Sequence, residues 1–320
     1  MSGGGVSGST GPVGPAAPSV AVAAGRGVIH DIGYARYSGE RRPPSTLWRV
    51  IMRHHLSYSW KTLWRFKPWL LAAVAITLVA GVVMYVAQNT LFGSIRQGGG
   101  GPLKFLDGVL PFTFRFYIMA AFLLSMTVGA SVVARDQETG AFTFYFSRPV
   151  RPIDYVIGRL VGMTILTAIM LTAGPVALAV FRVGLSHTTS EALDHLTWIG
   201  RALVTGALGA VAYAALPLAV SALSGRRTIA LGVWAAYYVV VSSIFVLIST
   251  VTWKPLAALD IGVAVVTLAF RLWDIDFLGG RGGVSVTAAA VSLLGQAALA
   301  AYLFHRQIAR TAAGAVGGGS

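Results

Sequence analysis

The sequence predicts an all-α integral membrane protein, a bundle of six transmembrane helices preceded by an amphipathic helix at the membrane interface. Three observations carry this. Of 320 residues, 55% are hydrophobic and only 11% charged, less than half the charged share of a soluble domain. The apolar residues fall in runs of about 20 or more, the helical length that crosses a hydrocarbon core of about 30 Å. Most of the 25 lysines and arginines fall before the first run, after the last, and in alternate loops, the distribution that marks cytoplasmic segments.

Taken in order, residues 1–45 are predicted to be a disordered cytoplasmic tail: the first 28 are Gly, Ala, Ser, Pro and Val with almost no charge, and lack the basic start and unbroken apolar core of a signal peptide. Over 46–68 the spacing becomes helical. Arg49, Arg53, Lys61 and Arg65 share one four-residue row, and Trp48, Met52, Leu56 and Trp60 the next. Such a helix lies in the interface, with its tryptophans at headgroup level and its cations toward phosphate or cytosol. The alternative is a basic face packed on a soluble partner.

A transmembrane domain over 69–305 follows, with spans at 69–87, 109–134, 157–181, 200–223, 229–251 and 284–304, and then a cytoplasmic tail over 306–320. The charge distribution places both termini inside, so the number of crossings is even. Residues 255–272, apolar but carrying Asp260, are therefore read as a re-entrant or interfacial element and not a seventh span. Irregular backbone at that depth is tolerated where protein or a cavity covers it. In the fourth span Gly200, Ala202, Gly206, Ala207, Gly209, Ala210 and Ala214 form a small-residue face for close helix packing.

Composition also excludes. Without cysteine there are no disulfides, thiolate metal sites, iron–sulfur ligands or cysteine nucleophiles. The formal charge of +14 is assigned to loops held against anionic lipid and not to nucleic acid, because no soluble domain is left to bind it. A phosphate-binding loop needs Lys directly after Gly, and none of Lys61, Lys67, Lys104 and Lys254 follows a glycine. Leu223-Ser224-Gly225 runs into Arg226-Arg227 and reads as a basic turn. The spans lack the buried acids or bases of an intramembrane enzyme, so the chain is expected to have no catalytic residue and no cofactor of its own. His187, Glu191 and His195, if helical, would share a face able to take a divalent metal, but a solvated polar helix is the preferred reading, and no metal is assigned.

The loop between the second and third spans holds far more chemistry than a connection needs. It carries Arg135, Asp136, Glu138 and Gly140, then the aromatics Phe142, Phe144, Tyr145 and Phe146, then Ser147, Arg148, Pro149 and Arg151, and finally Pro152, Asp154, Tyr155, Gly158 and Arg159. A short helix around 139–147 is expected, then a tight turn, with Pro152 in the first turn of the next helix and Asp154 complementing its dipole.

On Glu138 and Gly140, Ser147, Pro149, Arg151, Asp154-Tyr155 and Gly158-Arg159, the sequence resembles the membrane subunits of type-2 ABC transporters, permeases that export lipids, polysaccharides, drugs and peptides. The resemblance runs from about Leu47 to Phe304. Ala141 stands where that family usually has a hydroxyl residue, and Arg159 where it has Lys. The resemblance implies an elbow helix at the interface, a 2–3 loop acting as a coupling helix in a groove of a separate ATPase, and an external re-entrant region at 255–272. It also implies two copies of that ATPase, which would hold the ATP and Mg, and a second permease copy or a related permease. The complex would lie in the inner (plasma) membrane. Closure of the ATPases is expected to push on Glu138 through Arg151 and drive alternating access. The competing readings are a membrane anchor for an ATPase-driven envelope assembly, favoured by large external loops that are absent here, and a secondary transporter, which should show coupling acids or broken helices at mid-membrane and lacks the acids.

Overall fold

The computed structural model describes residues 43–61, 66–91, 101–147, 150–186, 188–275 and 284–317. The tail expected over 1–45 lies outside these up to residue 42, as do Arg65, Arg148, Pro149 and His187. Every regular element among the described residues is helical. Six helices are long and apolar enough to cross a membrane: Lys67–Asn89, Asp107–Glu138, Pro152–Gly184, Thr189–Ser224, Arg227–Val251 and Val286–Gly314. This is the architecture of a multi-pass membrane protein.

Helix α1 (Leu47–Lys61) precedes the spans. The first span is α2 (Lys67–Val86), with Pro68 at its start, continued by a π segment at Ala87–Leu91. The second is α3 (Gly101–Leu124), a π segment at Ser125–Gly129 and α4 (Ala130–Glu138). A short helix α5 (Ala141–Phe146) follows, and the third and fourth spans are α6 (Pro152–Gly184) and α7 (Thr189–Ser224). The fifth comprises α8 (Arg227–Ala236), a π segment at Tyr237–Val241 and α9 (Ser242–Val251). A 3-10 turn at Lys254–Leu259 leads into α10 (Ile261–Leu272), and α11 (Val286–Gly317) is the sixth span.

Several helices overrun the apolar windows read from the sequence. At 33 residues, α6 is about 50 Å long, well beyond the hydrocarbon core. Thr188 caps α7, its hydroxyl accepting from the Glu191 N–H, and starts that helix eleven residues before the expected span. The other end of α7 is set by Gly225, whose φ of +63° lies in the left-handed region that glycine adopts without strain.

Contacts between α6 and α7 dominate the bundle, with α11 packed on α7, and α3 and α10 on the other side. Within the fourth-span stripe, Ala202, Gly206, Gly209, Ala210 and Ala214 are buried while Gly200 and Ala207 are exposed. Burial is uneven among the spans. In its most apolar stretch the second span is 72% buried, whereas the fifth is 11% and the first 22%.

The segment expected to re-enter is a two-legged element. α10 has 12 residues, about 18 Å, too short to cross. Asp260 forms the corner between the legs and caps α10, Oδ1 accepting from the Val263 N–H at 3.1 Å. Ser292 of α11 donates to the carbonyl of Ala258 (2.6 Å) and Gln296 to that of Leu259 (3.2 Å), so side chains of a neighbouring span satisfy the corner's free carbonyls. The far end of α10 places Trp273 against Phe114 and Trp198.

Candidate functional site

The loop between α4 and α6 folds back on the bundle and brings four separate parts of the chain to one buried ion pair. Glu138 is the last residue of α4, and Gly140 turns the chain with φ +65°, a conformation that costs an L side chain its β-carbon clearance. Ala141–Phe146 then forms the short helix expected over 139–147, trimmed by the turn before it and ended by Ser147, whose Oγ bonds to the Phe144 carbonyl. Arg151 starts α6 from an extended conformation, and its N–H is accepted by Asp154 Oδ2 at 3.2 Å, one half of a capping box.

Arg159 is the centre. Its side chain is 3% exposed and its Nη2 donates to Asp136 Oδ2, the carboxylate itself being 15% exposed. The Tyr155 hydroxyl donates to the same oxygen at 2.6 Å, and the Arg159 guanidinium lies 5.2 Å from the Tyr155 ring centre. On its other side Nη1 faces His55 Nδ1 at 3.2 Å. A guanidinium has no lone pair to offer, so His55 accepts through Nδ1 and carries its proton on Nε2.

Aromatic rings roof the pair. Tyr155 meets Phe142 edge-on at 5.3 Å, Tyr145 at 5.6 Å and Phe304 of α11 at 6.3 Å, and Phe142 stacks on Phe146 at 5.7 Å. Burial pushes the Tyr145 phenol above its ordinary value, and Arg159 pulls it partly back. Phe142 is therefore an anchor holding α5 down, while Phe144 on the opposite face is 76% exposed. Arg135, Ser147 and Arg151 are also exposed, and Arg135 donates to the Tyr58 hydroxyl of α1.

α1 reaches this site because α6 has no β-carbon at two positions one turn apart. A Cβ on Gly158 would stand 2.8 Å from Ile51 Cβ and from the Trp48 carbonyl, and one on Gly162 2.9 Å from the His55 ring. The buried row of α1 is Ile51, His55 and Ser59, beside the tryptophan row read from the sequence. Arg49, Arg53, Trp60 and Lys61 stay exposed, with Trp48 partly covered. Replacing Tyr155 with Phe keeps the roof and removes one donor to Asp136. The expected loss is about 1.5–3 kcal/mol of unfolding free energy, measurable by denaturant titration in detergent.

Of the residues singled out in the sequence, Asp136, Phe142, Tyr155 and Arg159 converge. Asp154 serves the helix start, and Glu138 turns to α8, its Oε1 2.6 Å from the Arg227 N–H. His55 and Phe304 were not singled out. Their sequence signal is faint: His55 sits in the row that faces Gly158-x-x-x-Gly162.

A second buried cation lies at the opposite end of α6. Arg182 pairs with Asp107 at 3.1 Å, donates to Gln88 Oε1 at 3.1 Å and lies 6.0 Å from the Trp198 ring centre. Beside it His195 Nδ1 and Ser186 Oγ are 2.8 Å apart. The sequence reading overlooked Arg182 and Asp107 because both fall just beyond the apolar windows. Among the described residues, no group of three or more His, Cys, Asp or Glu side chains is placed to hold a metal ion. No family model matches the chain, and no curated protein is similar to it.

Proposed function

We propose that this chain is the membrane permease subunit of an ATP-driven exporter of the type-2 ABC kind, powered by a separate ATPase. The observation that carries this reading is the seat of α5. A six-residue helix is too short to be stable alone, yet here Phe142 and Tyr145 pack on Tyr155 above a buried ion pair, while Phe144 is presented outward. A rigid base under an exposed aromatic is the anatomy of a binding anchor, and it sits on the loop whose residues carry the family resemblance.

In this reading α5 is the coupling helix, docked in a groove of the ATPase on the cytoplasmic side of the inner membrane. α1 is the elbow helix, with Arg49, Arg53 and Lys61 toward lipid headgroups and Trp60 at their level. The 254–272 element is the external re-entrant segment. Two ATPase copies and a second permease, identical or related, complete the transporter. The weakly buried faces of α2 and of α8–α9, with Leu71, Leu78, Val239, Val240 and Leu247 exposed, supply apolar surface for lipid or for that second permease. The cargo would be a lipid-like, polysaccharide, drug or other solute.

The test is co-purification in lipid nanodiscs with a candidate ABC ATPase subunit from the same organism. Wild type is expected to retain the ATPase and stimulate hydrolysis, and Phe144→Asp to weaken association about 30-fold or more, the loss expected of an interface hot spot. An unchanged affinity in Phe144→Asp would remove α5 as the contact. An ATPase that fails to bind wild type in any nucleotide state would end the permease reading.

A further inference from the structure

The last turn of α4 grips the junction of α7 and α8 from both sides. Gln137 Nε2 donates to the Ala222 carbonyl in the last turn of α7 at 2.9 Å. Glu138 Oε1 accepts from the Arg227 N–H at 2.6 Å, and Arg227 is the first residue of α8. Helix starts expose N–H groups that a Ser, Asp or Asn before the helix usually accepts from. α8 is preceded by Arg226, which has no acceptor on its side chain, and its first turn contains no acid. Glu138 supplies from another helix both the missing acceptor and the negative charge that the α8 dipole favours.

The same two spans also meet higher up. Each is interrupted by a π segment, Ser125–Gly129 in the second and Tyr237–Val241 in the fifth. The interruptions lie at one level: Trp234 Nε1 donates to Ser125 Oγ at 3.0 Å, and Phe122 stacks on Tyr238 with ring centres 3.9 Å apart. A π segment breaks the regular helical ladder and is a place where helices bend. The fifth span is thus joined to the second at the level of the π segments and at its end; Tyr237 also donates to Gln296 of α11 at 3.0 Å, and few residues in the span's most apolar stretch are buried.

We propose that Glu138 is a positioning residue that carries displacement of α5 into the fifth span, with α8 swinging on Tyr237–Val241 as α4 swings on Ser125–Gly129. The source of the displacement rests on the permease reading above; the mechanical link does not. This gives the Glu138 carboxylate, expected from the sequence only as part of the loop on which the ATPase pushes, a partner at the start of α8.

The chain has no cysteine, so label pairs can be introduced without removing native ones. Spin labels at Thr143→Cys on α5 and Ile229→Cys on α8, both exposed positions, report the distance between the two helices in nanodiscs. A single narrow distribution is expected for the otherwise native chain. Glu138→Ala should broaden it and speed hydrogen exchange in the first turn of α8 about fivefold, with α6 and α7 amides unchanged. Glu138→Gln, which keeps the acceptor oxygen but not the charge, should restore most of both. Arg227→Pro removes the donor instead, at a helix position where proline is tolerated, and should loosen α8 as Glu138→Ala does; it also serves if Glu138→Ala fails to fold. Wild-type behaviour in both Glu138→Ala and Arg227→Pro, or a Gln variant no better than Ala, overturns the proposal. Adding the ATPase separates the two readings, with binding measured first on the unlabelled chain: failure to bind there strikes the permease assignment alone, whereas a bound ATPase that moves α5 without α8 in the labelled chain strikes the link alone.

Discussion

Replacing Arg159 with Ala is expected to cost about 3–5 kcal/mol of unfolding free energy, the penalty for leaving one member of a buried ion pair without its partner. The expectation follows from what the guanidinium holds. Its removal leaves the Asp136 carboxylate, 15% exposed, with only the Tyr155 hydroxyl, and takes away the group facing His55 Nδ1 at 3.2 Å. α1, α4 and α6 then lose their common point, and the roof of Phe142, Tyr145 and Phe304 loses the ring it rests on in place. Arg159→Lys keeps the charge but has a single point of contact and no planar fork, so an intermediate loss is expected. The double replacement Asp136→Leu with Arg159→Met removes both charges together and should recover most of the deficit. Unfolding in mixed micelles, followed by tryptophan fluorescence, measures all three. Equal stability of Arg159→Ala and wild type would show that the pair does not fix the loop, and the argument for α5 as a rigid anchor would fall with it.

That loop is where the sequence was most informative, and the reason is local. Gly140 is forced by a positive φ, Pro152 and Asp154 by a helix start, and the spacing of Phe142, Tyr145 and Phe146 by the packed face of a short helix, all within some twenty residues. Contacts across the chain left weaker traces. His55 lies 104 positions from Arg159, and nothing in its own segment marks it except its place between Ile51 and Ser59 on one four-residue row. Hydropathy found all six spanning helices but misjudged their ends. An apolar window reports the membrane-buried part, whereas caps such as Thr188 decide how far a helix continues beyond it. The π segments had no signature: no residue type in Ser125–Gly129 or Tyr237–Val241 marks a break in the helical ladder. Asp260 illustrates the opposite case: an acid in an apolar stretch was noticed, and its local role as the cap of α10 was hidden until the turn before it was seen.

The fourth-span stripe of small residues offers the sharpest contrast between pattern and geometry, because two of its glycines have opposite surroundings. A Cβ on Gly206 would stand 2.5 Å from Thr172 Cγ2 and 2.6 Å from the Leu171 carbonyl oxygen, whereas one on Gly200 would meet nothing within 4 Å. The Leu171 oxygen is backbone, so no rotamer change relieves the clash and α6 must move away from α7. Gly206→Ala is therefore expected to lose about 1–3 kcal/mol, and Gly206→Leu more, since a larger side chain separates the two longest helices along their most extensive contact. Gly200→Ala, in the same helix and in open space, should be neutral or gain up to about 1 kcal/mol from reduced backbone freedom. The pair tests the packing without any assumption about function, because both substitutions add one methyl group to one helix. Unfolding free energies that rise equally for the two would mean that helix propensity and not close approach governs the stripe. A loss confined to Gly206 would place the rigid body of the bundle at α6–α7, the frame against which a moving α4 and α8 have something to swing.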